Sequence, residues 1–186
     1  MREIRLGVVV GSNRRGSYSK MIAKAVTGFL PANYSVMFLE IGDLPIFNQD
    51  YDDDHETPAQ WTRFREEVKS ADAFLFITPE YNRSMPPLLK NALDVASRPY
   101  GQNAWGKKPG AIISVSPGKP GGFGANHHLR QCMSFLNIYM MQQPEAYIGN
   151  VTSILDDGGN VTDDGSAGFL KLIAEEFAQW VGNFQK

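Results

Sequence analysis

Between residues 11 and 19 the chain reads Gly11-Ser12-Asn13-Arg14-Arg15-Gly16-Ser17-Tyr18-Ser19, which gathers serine hydroxyls and guanidinium groups into one short segment. The apolar run Leu6-Gly7-Val8-Val9-Val10 precedes it and an amphipathic helical pattern follows. A chain that leaves a buried strand and enters a helix exposes backbone N–H groups with no intrahelical partner, and the helix dipole adds partial positive charge there. Ser12, Ser17 and Ser19 can donate to phosphate oxygens, and Arg14 or Arg15 supplies a full charge. At roughly 1.5–3 kcal/mol per charge-assisted hydrogen bond, a few such contacts hold a phosphate monoester dianion. A plain N-cap has the same composition, so this loop alone leaves both readings open.

Two more unusual segments follow apolar runs. Thr78-Pro79-Glu80-Tyr81-Asn82-Arg83-Ser84-Met85-Pro86-Pro87 offers an aromatic ring, an amide side chain and backbone amides, with prolines restricting its shape. Ser116-Pro117-Gly118-Lys119-Pro120-Gly121-Gly122-Phe123-Gly124 is glycine-rich, which suits close approach of backbone to a flat ligand. A phosphate held at one end and a planar group between two backbone loops describe flavin mononucleotide (FMN).

Strand-like runs at Ile4–Val10, Ser35–Leu39, Ala73–Thr78 and Ala111–Val115, with a weaker one near Ile138–Met141, must position these loops. They are short and continuously apolar, as strands covered on both faces are. Helical stripes lie between them: Met21, Ile22, Ala25, Val26 and Phe29; Trp61, Phe64 and Val68; Leu88, Leu89, Ala92 and Val95 or Ala96; Leu129, Met133 and Leu136; and finally Phe169, Ile173, Phe177, Trp180 and Phe184. The alternation predicts an open parallel α/β sheet with helices on both faces, and ligands outside the carboxyl ends of its strands. Gly42–Pro58, with the acidic run Asp52-Asp53-Asp54, reads as a solvated loop, and Ile148–Gly165 as a loop containing a hairpin turn rather than a calcium site.

The 186 residues suit one domain spanning the chain. With 18 basic against 20 acidic residues, the charge balance disfavours a nucleic-acid partner. No signal-peptide pattern and no membrane-length apolar stretch is present, and Cys132 is the single cysteine, so a cytoplasmic setting is expected. Cys132 reads as a packed core thiol. His127 and His128 are adjacent on a helical pattern and point about 100° apart, so no metal site is expected.

The combination of Gly-Ser-x-Arg-x-x-Ser at Gly11–Ser17, Pro-Glu-Tyr-Asn at Pro79–Asn82 and Leu-Lys-Asn-Ala-Leu-Asp at Leu89–Asp94 resembles the NADPH-dependent FMN reductase family, nearest its bacterial soluble quinone and chromate reductases. The likeness runs from the first strand to the final helix. It implies a flavodoxin-like three-layer α/β/α sandwich with a five-stranded parallel sheet in the order 2-1-3-4-5. It further implies phosphate contacts from Ser12, Arg14, Ser17 and Ser19 with Tyr18 beside them. Pro79, Glu80, Tyr81 and Asn82 would then line the flavin ring, with Ser116 and Gly118 opposite. A homodimer or homotetramer is implied, with His127, Arg130 and Glu145 near an interface. Met85-Pro86-Pro87 and Val95 depart from the branch's pattern and bear on the substrate opening.

The implied activity is reduction of quinones, and of chromate, other metal ions or azo compounds, by NADH or NADPH in a ping-pong hydride transfer. The chemistry belongs to the flavin, so no catalytic side chain is expected. Backbone N–H groups near Tyr81 and Asn82 are expected to stabilise negative charge on the reduced ring. A cysteine phosphatase is disfavoured because Cys132 lies far from the anion loop, and a nucleoside triphosphatase because Gly118-Lys119 is followed by Pro120. The same fold can hold FMN in a noncatalytic electron carrier or redox regulator, which is the remaining alternative.

Overall fold

A computed structural model describes residues 2–185. In chain order the elements are β1 (Ile4–Val10), α1 (Tyr18–Thr27), β2 (Tyr34–Phe38), α2 (Asp50–Asp53), α3 (Ala59–Ser70), β3 (Ala73–Pro79), α4 (Pro87–Ala96), β4 (Pro109–Val115), α5 (Phe123–Phe135), β5 (Tyr139–Met140), β6 (Ala146–Ile148) and α6 (Asp164–Gly182). All strand pairs are parallel, and the order β2-β1-β3-β4-β5 is the expected one. Among the described residues no helix is long and apolar enough to cross a membrane.

Each strand is apolar throughout because both faces are covered. On one side Ile22, Ala23 and Val26 of α1 and Leu170, Ile173 and Phe177 of α6 pack on Leu6, Val8, Leu75, Ile77 and Ile113. On the other, Trp61, Phe64 and Val68 of α3, Leu89, Ala92 and Leu93 of α4, and Leu129 and Met133 of α5 pack on Val9, Phe74, Phe76 and Ile112. Cys132 packs at the margin of this second layer, half-buried, and burial pushes its thiol pKa up. Phe29 departs from its expected helical stripe: α1 ends at Thr27, and the ring is left 40% exposed.

The fifth strand differs from the single run expected near Ile138–Met141. Two short pieces both pair in parallel with β4, and their offset from β4 grows from 30 residues at Pro109↔Tyr139 to 33 at Ile113↔Ala146. The extra chain between them includes Pro144, which has no N–H for a ladder. The second piece ends at Ile148, where the sequence reads as a loop. Beyond it, the expected hairpin turn is present, closed by the Leu155↔Val161 bridge, with Asp156 accepting from the Asn160 backbone at 2.8 Å.

The segment from Gly42 to Pro58 is tied down more firmly than a solvated loop. Asn91 accepts from the Phe47 amide at 2.8 Å, and Trp61 Nε1 donates to the Pro45 carbonyl at 3.0 Å. Asp52, expected to be solvated, is buried on α2 and takes a two-pronged contact from Arg65, each arm 2.7 Å. Arg65 also donates through Nε to the Val95 carbonyl at 2.9 Å and lies over the Trp61 ring. Its hydrogen bonds are the chief reason the Asp52 carboxyl pKa is lowered.

Arg65→Met would leave the Asp52 charge buried without its partner, which costs about 3–5 kcal/mol. Urea unfolding at neutral pH should show that loss. Because the folded pKa of Asp52 is lowered, the pair's contribution is present above the ordinary carboxylate range and is lost as pH falls through the folded value. The gap between wild type and variant should therefore narrow in acid, and a gap that is constant with pH would remove the ion pair as its cause.

Candidate functional site

β1, β3 and β4 are neighbours, and the loops leaving their carboxyl ends meet in one cleft of about 270 Å³. It is lined by Ser12, Arg14, Ser17, Tyr18 and Ser19 from the first loop, Pro79, Glu80 and Tyr81 from the second, and Val115, Ser116 and Pro117 from the third. The structure thus brings together nine of the residues singled out in the sequence and adds Val115 and Pro117. Neither addition carried a chemical signal; Val115 contributes as the last residue of a buried strand.

At the anion end, Ser12, Ser17 and Ser19 are all buried. Ser17 is the N-cap of α1 and accepts from the Lys20 amide at 3.3 Å, and the Ser12 hydroxyl accepts from the Arg14 amide at 3.4 Å. Ser17 therefore caps the helix, as the plain N-cap reading expects, and also faces the cleft. Among the described residues the amides of residues 15–19 donate to no backbone or side-chain acceptor. These donors and the helix dipole are the chemistry a phosphate needs. The Arg14 guanidinium lies 4.7 Å from the Tyr18 ring centroid, so Tyr18 positions the charge.

The other end is built mainly from backbone. Tyr81 and Ser84 exchange two backbone hydrogen bonds of 2.9 Å around Asn82 and Arg83, both at positive φ, 49° and 68°. Two positive-φ residues between paired strands make a type I′ turn, a conformation that suits Asn but strains Arg. Asn82 sits in the turn and does not line the cleft. The Tyr81 amide is already committed to Ser84, so it is not the free donor expected from sequence.

Glu80 is partly buried and its charge is compensated. One carboxylate oxygen accepts from the Ala125 amide at 3.1 Å, in the first turn of α5, and the other lies 3.6 Å from Arg83. The negative charge on this wall of the cleft is thereby offset by a helix N-terminus and a guanidinium.

The glycine signal of the third loop has a different cause from the one inferred. Gly118 does not line the cleft, and Ser116 Oγ accepts from its amide at 3.0 Å. Gly121 and Gly122 have φ of +62° and +77°, and a Cβ on them would meet Tyr147 at 2.6 Å and Ser114 at 3.0 Å. They are required by packing against β6 and β4 rather than by a ligand.

The motif Leu89–Asp94 is likewise architectural: Leu89, Ala92 and Leu93 are core, Asn91 holds the loop before α2, and Lys90 pairs with Asp94 at 2.7 Å. Val95 is fully buried and lines no opening; Pro86 is the N-cap residue of α4 and Pro87 its first helical residue. His127 meets the Tyr147 hydroxyl at 3.0 Å and stacks near Phe123, while His128 meets Ser84 at 2.9 Å. Arg130 donates within the chain to Asn126 and to the Met141 carbonyl. Burial first, then Glu145, pushes the Tyr147 phenol up to about 12.

Residues 4–153 match the family described as NADPH-dependent FMN reductase. A quinone reductase of Pseudomonas putida is 51% identical over 176 residues, spanning 95% of this chain and 94% of that protein. A 2-hydroxy-1,4-benzoquinone reductase of a Burkholderia species is 45% identical over 178 residues, 96% of each chain. Among solved structures, the flavoenzyme NAD(P)H:(acceptor) oxidoreductase FerB from Paracoccus denitrificans superposes with a TM-score of 0.90 at 38% identity, covering 97% of this chain and 98% of that one.

Two substitutions probe this geometry. Ser17→Ala should weaken FMN binding about tenfold, or roughly 1.4 kcal/mol. It should leave riboflavin affinity unchanged, because riboflavin lacks the phosphate; equal losses for both flavins would reduce Ser17 to a helix cap. Arg83→Gly should relieve the positive-φ strain and raise stability by up to about 1 kcal/mol in thermal unfolding. A drop instead would show that the contact to Glu80 outweighs the strain.

Proposed function

We propose, from the premise that the chain belongs to the NADPH-dependent FMN reductase family, that it is an NAD(P)H-dependent FMN enzyme whose electron acceptors are quinones. The observation that carries this reading is the cleft, where unpartnered amides and buried serines sit at one end and backbone loops of β3 and β4 face each other at the other. The donor set fits FMN: a dianion for the amides of residues 15–19, and a flat ring for the gap between Pro79–Tyr81 and Val115–Pro117.

When bound, FMN would supply the two-electron redox chemistry that links a nicotinamide donor to a quinone acceptor. The protein's part is to bind, orient and limit access. Ser12, Ser17 and Ser19 with Arg14 anchor the phosphate, and Tyr18 holds the Arg14 guanidinium in place. Pro79 and Glu80 form one wall, and Ser116 and Pro117 the other. Tyr81, half-exposed, borders the open side where a nicotinamide and then a quinone would stack. With its charge countered by α5 and Arg83, Glu80 does not repel negative charge developing near that wall. No protein acid or base is assigned to the hydride step.

Chromate and azo compounds are further acceptors under this proposal, since an open ring face discriminates weakly among oxidants. The protein is read as a single flavin-binding domain of the cytoplasm. Exposed Phe123 and His127, beside Tyr147 and Glu145, form the surface assigned to contact with a second copy in a homodimer or homotetramer. Light scattering on the FMN-loaded protein tests that assembly.

The deciding experiment is the anaerobic spectrum of the FMN-loaded protein on addition of NADPH or NADH and then benzoquinone. Bleaching by a nicotinamide and recovery with quinone are expected. Flavin that binds but bleaches with neither donor would favour the carrier or regulator, and absence of flavin binding would remove the cleft as the cofactor site.

A further inference from the structure

A second cavity, of about 540 Å³, runs beside α1, and its lining includes none of the second- and third-loop residues of the cleft. Its lining includes Arg15, Lys20 and Lys24 together with apolar Met21 and Phe29. The hairpin turn after β6 covers it: Gly159 has φ +82°, and a Cβ there would lie 2.7 Å from Met21, so the turn packs directly on the helix.

Three features give this groove a ligand chemistry. First, Arg15, Lys20 and Lys24 make no side-chain hydrogen bond or ion pair among the described residues, whereas Arg2, Arg63, Arg65 and Lys90 are each paired with an aspartate. Lys20 and Lys24 stand one turn apart on the same helix face, where like charges repel and a bound anion relieves the repulsion. Second, Met21 and the exposed Phe29 ring give the same groove an apolar surface for a flat group. Third, Ser17 lines both this groove and the flavin cleft, so the two cavities adjoin at the phosphate loop. From that junction the groove follows α1, whose ten residues extend about 15 Å.

A ligand suited to the groove is elongated, carries more than one phosphate, bears a flat base and can continue into the flavin cleft. We infer that the groove takes the phosphorylated adenosine half of NADPH, with Lys20 and Lys24 contacting its 2′-phosphate and Arg15 its pyrophosphate. This inference rests on the reductase reading for its ligand. It makes α1 the element that distinguishes NADPH from NADH, because only NADPH carries the 2′-phosphate. A basic side chain at that phosphate, an arginine in the dinucleotide-binding fold, is the known solution elsewhere.

Calorimetric titration of the FMN-loaded protein with 2′,5′-ADP, against 5′-AMP as the probe lacking the 2′-phosphate, tests it directly. Wild type should bind 2′,5′-ADP at least about tenfold more tightly than 5′-AMP. The double variant Lys20→Gln and Lys24→Gln keeps helix propensity and should lose that margin with FMN affinity unchanged. In stopped-flow reduction, its NADPH dependence should move to higher concentration by a similar factor while NADH reduction is unaltered. Equal binding of the two probes, or a double variant that binds like wild type, overturns the inference. So does lost 2′,5′-ADP binding with NADPH reduction untouched, which would make the groove a nucleotide site unrelated to the electron donor. Failure of either nicotinamide to reduce the flavin would instead count against the reductase reading, and the probe titration would still report on the groove.

Discussion

The constraint behind everything else is that β1, β3 and β4 are parallel and covered on both faces. A parallel strand cannot return to its neighbour by a short turn, so each crossover passes over a face of the sheet and every strand ends at the same edge. Leu6, Val8, Leu75, Ile77 and Ile113 bind one layer of helices, and Val9, Phe74, Phe76 and Ile112 the other. Once the side chains are sorted in that way, the loops after β1, β3 and β4 emerge side by side. The cleft follows from core packing, and the loops need only the right chemistry when they arrive there.

Much of what looks like ligand chemistry in the chain supports the frame around that edge. Asn91, Trp61 and Arg65 hold the long segment after β2 against α3 and α4. Gly121 and Gly122 let the third loop fold onto β6, and Gly124 lets α5 approach the Arg83 carbonyl, which a Cβ would meet at 2.5 Å. Glu80 links the second loop to the start of α5. The second and third loops of the cleft are thus joined through α5 as well as through the sheet. Preorganised walls of this kind reduce the ordering cost of binding a rigid planar group.

The helices, the strand order and the serine-rich first loop of the cleft were legible because each rests on a local pattern: apolar period, β-branched runs, and serines at a strand-to-helix passage. What was illegible depends on partners distant in sequence. Asp52 sits in an acidic run that reads as solvated, and its burial depends on Arg65 from the next helix. The split of the last strand arises because only a few residues on each side of Pro144 can pair with β4. A glycine that faces a ligand and one that faces another backbone look alike in a sequence, and only the position of Tyr147 separates them. The helical stripe that included Phe29 continued past the helix end, which sequence periodicity does not mark sharply.

Ser17 belongs to the architecture and to the cleft at once. Its hydroxyl accepts from the Lys20 amide, which fixes the first turn of α1 and so the direction of the amides at residues 15–19. The same turn sets where Lys20, and one turn later Lys24, leave the helix. An anion at the loop and a second anion along α1 would therefore share one rigid body, and their separation would be set by helix geometry rather than by flexible side chains alone. Two cofactors that must meet at a single reacting face need a fixed separation of this sort, and a capped helix supplies it without any moving part.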